Sequence, residues 1–316
     1  MLKSKGFYKG VNLGGWLSQC DYSKDRLDNF ITKQDIAKIA TWSVDHVRLP
    51  IDYNVLENDT NDYKEDGFAR IDKAIEWCQE FHLNLVLDLH KTAGFSFDFG
   101  EKEDGFFESK KLQERFLLLW EEIARRYGKY ADTVAFELLN EVTEQSYIDV
   151  WNRLSNECIR RIRVFAPDTL ILIGSYNNNC ASAVKDLAKP YDDKVVYNFH
   201  CYESLLFTHQ GATWTDKINP DARMSYEESR LSPEFFEDFF ASALETAKKN
   251  NTVLYCGEYG VIDRVSPEDT LRWYKDINSI FEKYGISRCA WSYKEMDFGL
   301  SDERLKPVFN ELLKCL

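Results

Sequence analysis

The chain has 316 residues, a length that suits two ordinary domains or one large barrel. Hydrophobic residues make up 44% and charged residues 29%, a globular composition that argues against disorder. With 40 basic and 53 acidic residues the formal net charge is −13, which disfavours binding to nucleic acid or to an anionic membrane surface. Aromatic residues reach 15%, enough to line a binding cleft as well as a core.

The N-terminus and the cysteines indicate the cellular compartment of the protein. No apolar core of the ~7–15 residues typical of a secretory signal follows the first lysines, and no run approaches the ~18 apolar residues of a membrane span. The eight cysteines are scattered singly without a CxxC pair, which favours reduced thiols over a disulfide framework or a zinc site. We therefore expect a cytoplasmic protein, or a secreted one where a signal peptide has been removed.

Eight short β-rich apolar runs alternate with longer amphipathic stretches. The predicted strands cover 7–13, 44–50, 83–90, 133–141, 170–175, 194–200, 252–258 and 288–294. Helical periodicity is clearest at 69–81, 111–127, 146–164, 234–249 and 267–284. Strands separated by helical crossovers predict a parallel sheet, and eight such units predict an α/β fold of the (β/α)8 TIM barrel type. A doubly wound sheet is the alternative, but no GxGxxG follows the first strand.

The composition contains no inter-domain linker, so we expect a single catalytic barrel domain over 1–316. Surplus residues concentrate at 94–109, after strand 3, and in an insertion at about 203–231, after strand 6. Both segments would lie at the carboxyl ends of strands, where barrels place their active sites. Both segments are aromatic, with Phe95, Phe97, Phe99, Phe106 and Phe107 in the first and Phe207, Trp214 and Tyr226 in the second. We expect the phenylalanines at 95–107 and Trp214 to lie around the reacting centre.

Large polar or aromatic side chains stand at or just beyond the ends of six predicted strands. They are Arg48, His90, Asn140, Glu141, His200, Tyr202, Glu258 and Trp291. Each alone has an ordinary structural explanation, such as a rim ion pair, a hydrogen-bonded histidine or a core tryptophan. Their joint placement on one rim indicates an active site.

Two carboxylates, Glu141 on strand 4 and Glu258 on strand 7, would face each other across the barrel mouth. Two carboxylates flanking one cleft are the minimum apparatus for glycoside hydrolysis, with one protonated and one ionised. Arg48 would favour the charged form of a neighbouring carboxylate, and Tyr202 would donate a hydrogen bond to it. We expect Glu258 to be the nucleophile, Glu141 the acid/base, and Asn140 a partner of a sugar 2-hydroxyl.

The order of these strand-end residues resembles that of glycoside hydrolase family 5, the cellulase family A barrels. The resemblance runs from GVNLGGWL (10–17) to AWSYKEMDF (290–298) and is strongest to the clostridial cellulase C-type endoglucanases. The resemblance covers essentially the whole chain. It implies a retaining endo-β-1,4-glucanase that hydrolyses cellulose-like or mixed-linkage β-glucans by double displacement, with no cofactor. It also implies that Trp291 is a stacking platform, and that His90, Asn140, His200 and Tyr202 contact the substrate.

Several alternatives remain open at this point. Other family 5 specificities are a β-mannanase, a xyloglucanase or an exo-β-1,3-glucanase. A metal-dependent barrel hydrolase would use His90, His200 and a carboxylate, but the chain has no His-x-His pair. A catalytically inactive carbohydrate-binding barrel is disfavoured by the two glutamates. Trp214 in the insertion is expected to be a second stacking residue, or else to pack the insertion onto the barrel.

Overall fold

The computed structural model describes residues 2–101 and 103–316. Eight parallel strands close into a barrel in chain order, and the first also pairs with the last. The strands are β1 Lys9–Asn12, β2 His46–Asp52, β3 Asn84–Lys91, β4 Val134–Glu137, β5 Ile171–Ile173, β6 Val195–Cys201, β7 Leu254–Tyr259 and β8 Ser287–Ala290. The predicted (β/α)8 barrel is therefore confirmed, and the doubly wound alternative is wrong.

Helices surround the barrel. They are Lys24–Asn29, Lys33–Ile39, Tyr53–Leu56, Glu65–Glu80, Lys110–Tyr127, Ile148–Ile162, Leu205–Thr208, Tyr226–Ser229, Pro233–Lys249, Pro267–Tyr284 and Phe309–Cys315. Ser232 and Ser266 cap two of them, each accepting a backbone N–H and each followed by proline at the first helical position. Within the described ranges, no helix is long and apolar enough to cross a membrane.

Two strands end four residues earlier than the sequence predicts. β4 ends at Glu137 and β8 at Ala290, so Asn140, Glu141 and Trp291 lie on the loops that follow. These loops stay tied to the barrel, because Asn140 N–H donates to the Leu89 carbonyl at 3.1 Å and Trp291 N–H donates to the Tyr259 carbonyl at 2.9 Å. The predicted apolar runs therefore extend beyond the regular strands, and their last residues still lie at the rim of the barrel.

The barrel interior has an apolar floor and a polar layer above it. The floor is a buried cluster of Leu2, Phe7, Val86, Ala135, Leu170, Leu172, Val196, Tyr255 and Cys289. The layer above contains the fully buried side chains Asn12, Arg48, Asp88, Glu137 and Asn198. Because alternate residues of a strand point inward, one strand contributes to both layers, as β3 does with Val86 and then Asp88. The polar layer thus lies nearer than the apolar floor to the carboxyl ends of the strands.

Candidate active site

Arg48 on β2 is the centre of the polar layer. Its guanidinium donates to the two carboxylate oxygens of Glu137 at 2.7 and 2.8 Å, and to Glu258 Oε1 at 2.7 Å. It also donates to Asn140 Oδ1 at 2.8 Å and lies 3.0 Å from Asp88 Oδ2. A planar fork of five donors can serve several carboxylates at once. Arg48 therefore joins the rim to the layer beneath it.

Glu258 on β7 lies at the barrel mouth with both carboxylate oxygens hydrogen-bonded. Oε1 accepts from Arg48, and Oε2 accepts from the Tyr202 hydroxyl at 2.9 Å. His200 Nδ1 lies 3.6 Å from the same Oε2. Burial raises the pKa of Glu258 to about 7, while Arg48 and the Tyr202 hydroxyl act in the opposite direction. The carboxyl is held in one orientation by charged and neutral donors.

Glu141 lies opposite, on the loop after β4, with its backbone in the left-handed region at φ 43°. Its Oε1 is 2.8 Å from His200 Nδ1, and its Oε2 accepts from Asn178 Nδ2 at 3.1 Å. Burial raises the pKa of Glu141 to about 7, and the Asn178 hydrogen bond opposes this. Burial also lowers the pKa of His200 to about 4, so its ring is neutral at pH 7.

The two carboxyls form a close pair around His200. Ligand atoms of Glu141, His200 and Glu258 all lie within 4.8 Å of one another. At this distance ionisation of one carboxyl disfavours ionisation of the other, so the pair titrates as a unit. A separation of ~5–5.5 Å between carboxyl groups is typical of retaining glycosidases, against ~6.5–9.5 Å in inverting ones. An oxygen-to-oxygen distance of at most 4.8 Å between the two carboxyls is consistent with the shorter, retaining spacing.

A close group of this kind also raises the question of a metal. Glu258 is already held by Arg48 and Tyr202, and His200 Nδ1 is engaged by Glu141. His90, which a metal site would need beside His200, instead lies 2.5 Å from Asp88 Oδ2 through its Nδ1. The donor atoms are therefore engaged with protein groups, and we interpret the cluster as a proton-sharing site.

Aromatic rings pack together on the same rim. The rings of His90 and Trp291 are parallel to within 2°, with centroids 5.8 Å apart. Phe97 meets His90 edge-on at 4.8 Å. Lys91, next to His90, binds Asp98 at 2.5 Å and so ties the loop that carries Phe97 to the rim. These contacts fix the orientation of the rings.

Asn140 is buried, and the oxygen of its side-chain amide is hydrogen-bonded. Its Oδ1 accepts from Arg48, whereas its Nδ2 has no hydrogen-bond partner in residues 2–101 and 103–316. An unpaired buried donor is costly, at roughly 1–3 kcal/mol, unless a ligand satisfies it. The amide is thus oriented by Arg48, with a donor available to a substrate.

Trp214 lies in the segment after β6 and is 40% exposed. Its ring stands edge-on to His209 and to Phe298, both at 6.4 Å between centroids. Phe298 in turn contacts Tyr202 at 5.7 Å. Trp214 therefore packs against two rings that also contact Tyr202, while part of its own surface stays exposed.

The expectation that the aromatic residues of the segment after β3 all surround the cleft is wrong for three of them. Phe95, Phe106 and Phe107 are buried at 5% exposure or less and pack on one another. Their burial has a structural reason, because a long segment without regular structure needs its own apolar contacts to hold a fixed path. Phe97 alone of the five contacts His90, and Phe99 is 68% exposed.

Three important residues were not selected by the strand-end rule. Asp88 and Glu137 lie one layer below the rim, and Asn178 follows β5. Asp88 had a signal, because it precedes His90 by two residues and so shares its face of β3. The run of three asparagines at 177–179 was also a signal, since asparagine favours left-handed turns. For Glu137 the signal was its place on an otherwise apolar strand.

Known proteins are similar to this chain over nearly its whole length. Residues 6–297 match the family model described as Cellulase (glycosyl hydrolase family 5). Cellodextrinase A of Ruminococcus flavefaciens is 61% identical, over 91% of this chain and 86% of that protein. Endoglucanase C of Acetivibrio thermocellus is 40% identical, over 98% of both. Thermotoga maritima Cel5A, solved in complex with cellobiose, has a TM-score of 0.82 at 26% identity, over 98% of this chain and 97% of that one. The chain therefore belongs to glycosyl hydrolase family 5, the cellulase family.

Proposed function

We propose that the protein is a retaining endo-β-1,4-glucanase that hydrolyses cellulose-like or mixed-linkage β-glucans. The observation that carries this proposal is the carboxyl pair of Glu141 and Glu258, whose closest ligand atoms lie within 4.8 Å on a rim that also carries the stacked rings of His90 and Trp291. The names of the relatives support the substrate class, since one is called an endoglucanase and another a cellodextrinase. A neutral polysaccharide also suits a chain of net charge −13.

The roles of the two carboxyls follow from their partners. Arg48 and Tyr202 donate to Glu258 and favour its ionised form, so we assign it as the nucleophile. Glu141 receives hydrogen bonds from neutral groups only, so it keeps the shared proton and is assigned as the acid/base. Glu141 protonates the glycosidic oxygen while Glu258 attacks the anomeric carbon and the leaving sugar departs. Glu141 then takes a proton from the water that releases the sugar from Glu258.

The remaining rim residues hold the sugar. The free Nδ2 of Asn140 is the donor that we assign to the 2-hydroxyl, a contact that strengthens in the transition state. Trp291 offers a ring face to the reacting sugar, with His90 beside it. His200 and Tyr202 contact the carboxyls directly, so the sugar they meet is the one undergoing reaction.

Replacing Trp214 with alanine should raise KM for β-glucan about fivefold with little change in kcat, because stacking of a sugar on its ring is worth about 1 kcal/mol. Trp214 packs on His209 and Phe298 rather than on either carboxyl, so its removal should weaken binding of the ground and transition states alike. Leu206→Ala, which removes a 56% exposed side chain from the same segment, is the matched control. Unchanged kinetics in Trp214→Ala would mean that the tryptophan only packs the segment onto the barrel.

The proposal is tested by hydrolysis of a panel of β-glucan, glucomannan, xyloglucan and laminarin, with the products sized and their initial anomeric configuration read by NMR. We expect internal cleavage of β-glucan with β-configured products. Dominant activity on glucomannan, xyloglucan or laminarin would instead select the β-mannanase, xyloglucanase or exo-β-1,3-glucanase alternative. A series of cello-oligosaccharides shows whether short chains are preferred, as the name of the 61% identical relative indicates.

We also propose a reducing compartment, the cytoplasm, for this enzyme. All eight cysteines lie in the described ranges and are free thiols, five of them buried. Buried thiols of this kind behave as small hydrophobic residues and are typical of reducing compartments. Detection of the enzyme in the culture medium of its source would favour the secreted alternative.

A further inference from the structure

We propose that the left-handed turn at 177–179, after β5, positions the acid/base, with Asn178 as the positioning residue; this rests on the role proposed for Glu141. Asn177, Asn178 and Asn179 have φ of 51°, 55° and 56°. Such values are unfavourable for most side chains, and asparagine is among the few that tolerate them. Three in succession form a turn that a different sequence would not readily adopt.

The backbone of this turn supports the chain beside Glu141. Asn178 N–H donates to the Val142 carbonyl at 3.0 Å, and Asn177 N–H donates to the Thr143 carbonyl at 3.1 Å. Val142 and Thr143 directly follow Glu141, which itself has a positive φ of 43°. Left-handed backbone at an active site persists only where the surroundings hold it. The turn supplies that support from the neighbouring strand.

The side chains of the turn act on the Glu141 carboxyl directly through Asn178 and indirectly through His200. Asn178 Nδ2 donates to Oε2 at 3.1 Å. Asn179 is buried, and its Nδ2 lies 3.4 Å from His200 Nε2. We assign Asn179 Nδ2 as a donor to Nε2, which places the ring proton on Nδ1, from which it is donated to Glu141 Oε1 at 2.8 Å. Both oxygens then accept hydrogen bonds, which stabilises the carboxylate that remains after the proton has been transferred.

Asn178 can be tested separately from the other groups around Glu141. The charged and titratable groups that face Glu141 come from several strands and loops: Arg48, Asp88, Asp98, Glu137, His200, Tyr202 and Glu258. None of them changes in an Asn178 variant. Removal of a neutral donor from a carboxylate raises its pKa. An enzyme that needs Glu141 protonated then stays active to higher pH.

The experiment compares Asn178→Gly with Asn177→Gly, its matched control. Glycine keeps the left-handed backbone and removes only the side chain. The Asn177 side chain is exposed, so its variant should behave as the original enzyme. For Asn178→Gly, we expect the alkaline limb of the kcat/KM profile on cellotetraose to move up by roughly half to one pH unit. Dinitrophenyl cellobioside, whose leaving group needs no proton, should be cleaved with unchanged kcat/KM.

Two outcomes would overturn the proposal. One is an alkaline limb in Asn178→Gly that coincides with that of Asn177→Gly. The other is an equal loss of kcat/KM on both substrates without a shift of the limb, which would mean a structural role only. Glu141→Ala separates this inference from the proposed function: if it still hydrolyses cellotetraose normally, Glu141 is not the acid/base. Thermal unfolding of each variant shows whether it is folded.

Discussion

Replacing Glu258 with glutamine should lower kcat on cellotetraose by roughly four orders of magnitude or more. An uncharged amide is too weak a nucleophile to form the glycosyl ester, so the first covalent step fails. The fold should be retained, because the amide oxygen of glutamine still accepts from Arg48 or Tyr202 in nearly the same volume. Steady-state turnover and thermal unfolding of the purified variant measure the two effects.

Glu203→Gln is the matched control for this variant. Glu203 is a partly buried carboxyl close along the chain to Tyr202, and burial raises its pKa too. Its loss should change kcat by less than about twofold, as expected for a side chain outside the machinery. Similar losses in both variants would show that any charge removed near the rim disables the enzyme, and the assignment of Glu258 would fail.

Glu141→Gln distinguishes the two carboxyls from each other. It should lower kcat on cellotetraose by about 10²–10⁴-fold, the usual contribution of a general acid. With dinitrophenyl cellobioside it should still release a burst of dinitrophenolate, because the first step then needs no proton and only the second is slow. Glu258→Gln should give no burst. A burst from Glu258→Gln and none from Glu141→Gln would reverse the two roles.

The barrel and the rim were predictable because both follow from local rules. Alternation of apolar runs with amphipathic stretches indicates parallel strands with helical crossovers. Parallel strands then place their carboxyl ends together, so Arg48, Glu141 and Glu258 were expected to meet although they lie far apart in the chain. Short helices such as Lys24–Asn29 and Lys33–Ile39 were not predicted, because each is too short to show a full apolar period.

What the sequence did not reveal depends on side-chain contacts between strands. That Asp88 and Glu137 share Arg48 with Glu258 requires the relative positions of four strands. The reach of Asn178 to Glu141 depends on a turn whose left-handed backbone is held by the loop after β4. Neither relation has a fixed spacing in the chain. Periodicity identifies a face of a strand, whereas hydrogen-bond partners across the barrel emerge only from its closed geometry.

Replacing Arg48 with methionine should destabilise the protein by about 3–5 kcal/mol, the usual effect of removing one partner from a buried ion pair. Asp88 and Glu137 are fully buried and Glu258 nearly so, and all three would lose their shared cation. The midpoint of thermal unfolding should fall by roughly 5–10 °C for a chain of this size. Arg126→Met, which breaks exposed pairs with Glu65, should lower stability by at most about 1 kcal/mol.

The pH dependence of this destabilisation identifies its cause. Burial already raises the pKa of Asp88 to about 7, and Arg48 opposes that rise. Without Arg48 the pKa of Asp88 in the folded protein rises further above its value in the unfolded chain. Between these two pKa values the folded protein binds more protons than the unfolded chain, so it loses stability as pH increases. The deficit of Arg48→Met in denaturant unfolding should therefore be smaller at pH 5 than at pH 8. A deficit equal at both pH values would mean that poorer packing, rather than unpaired buried charge, destabilises the variant.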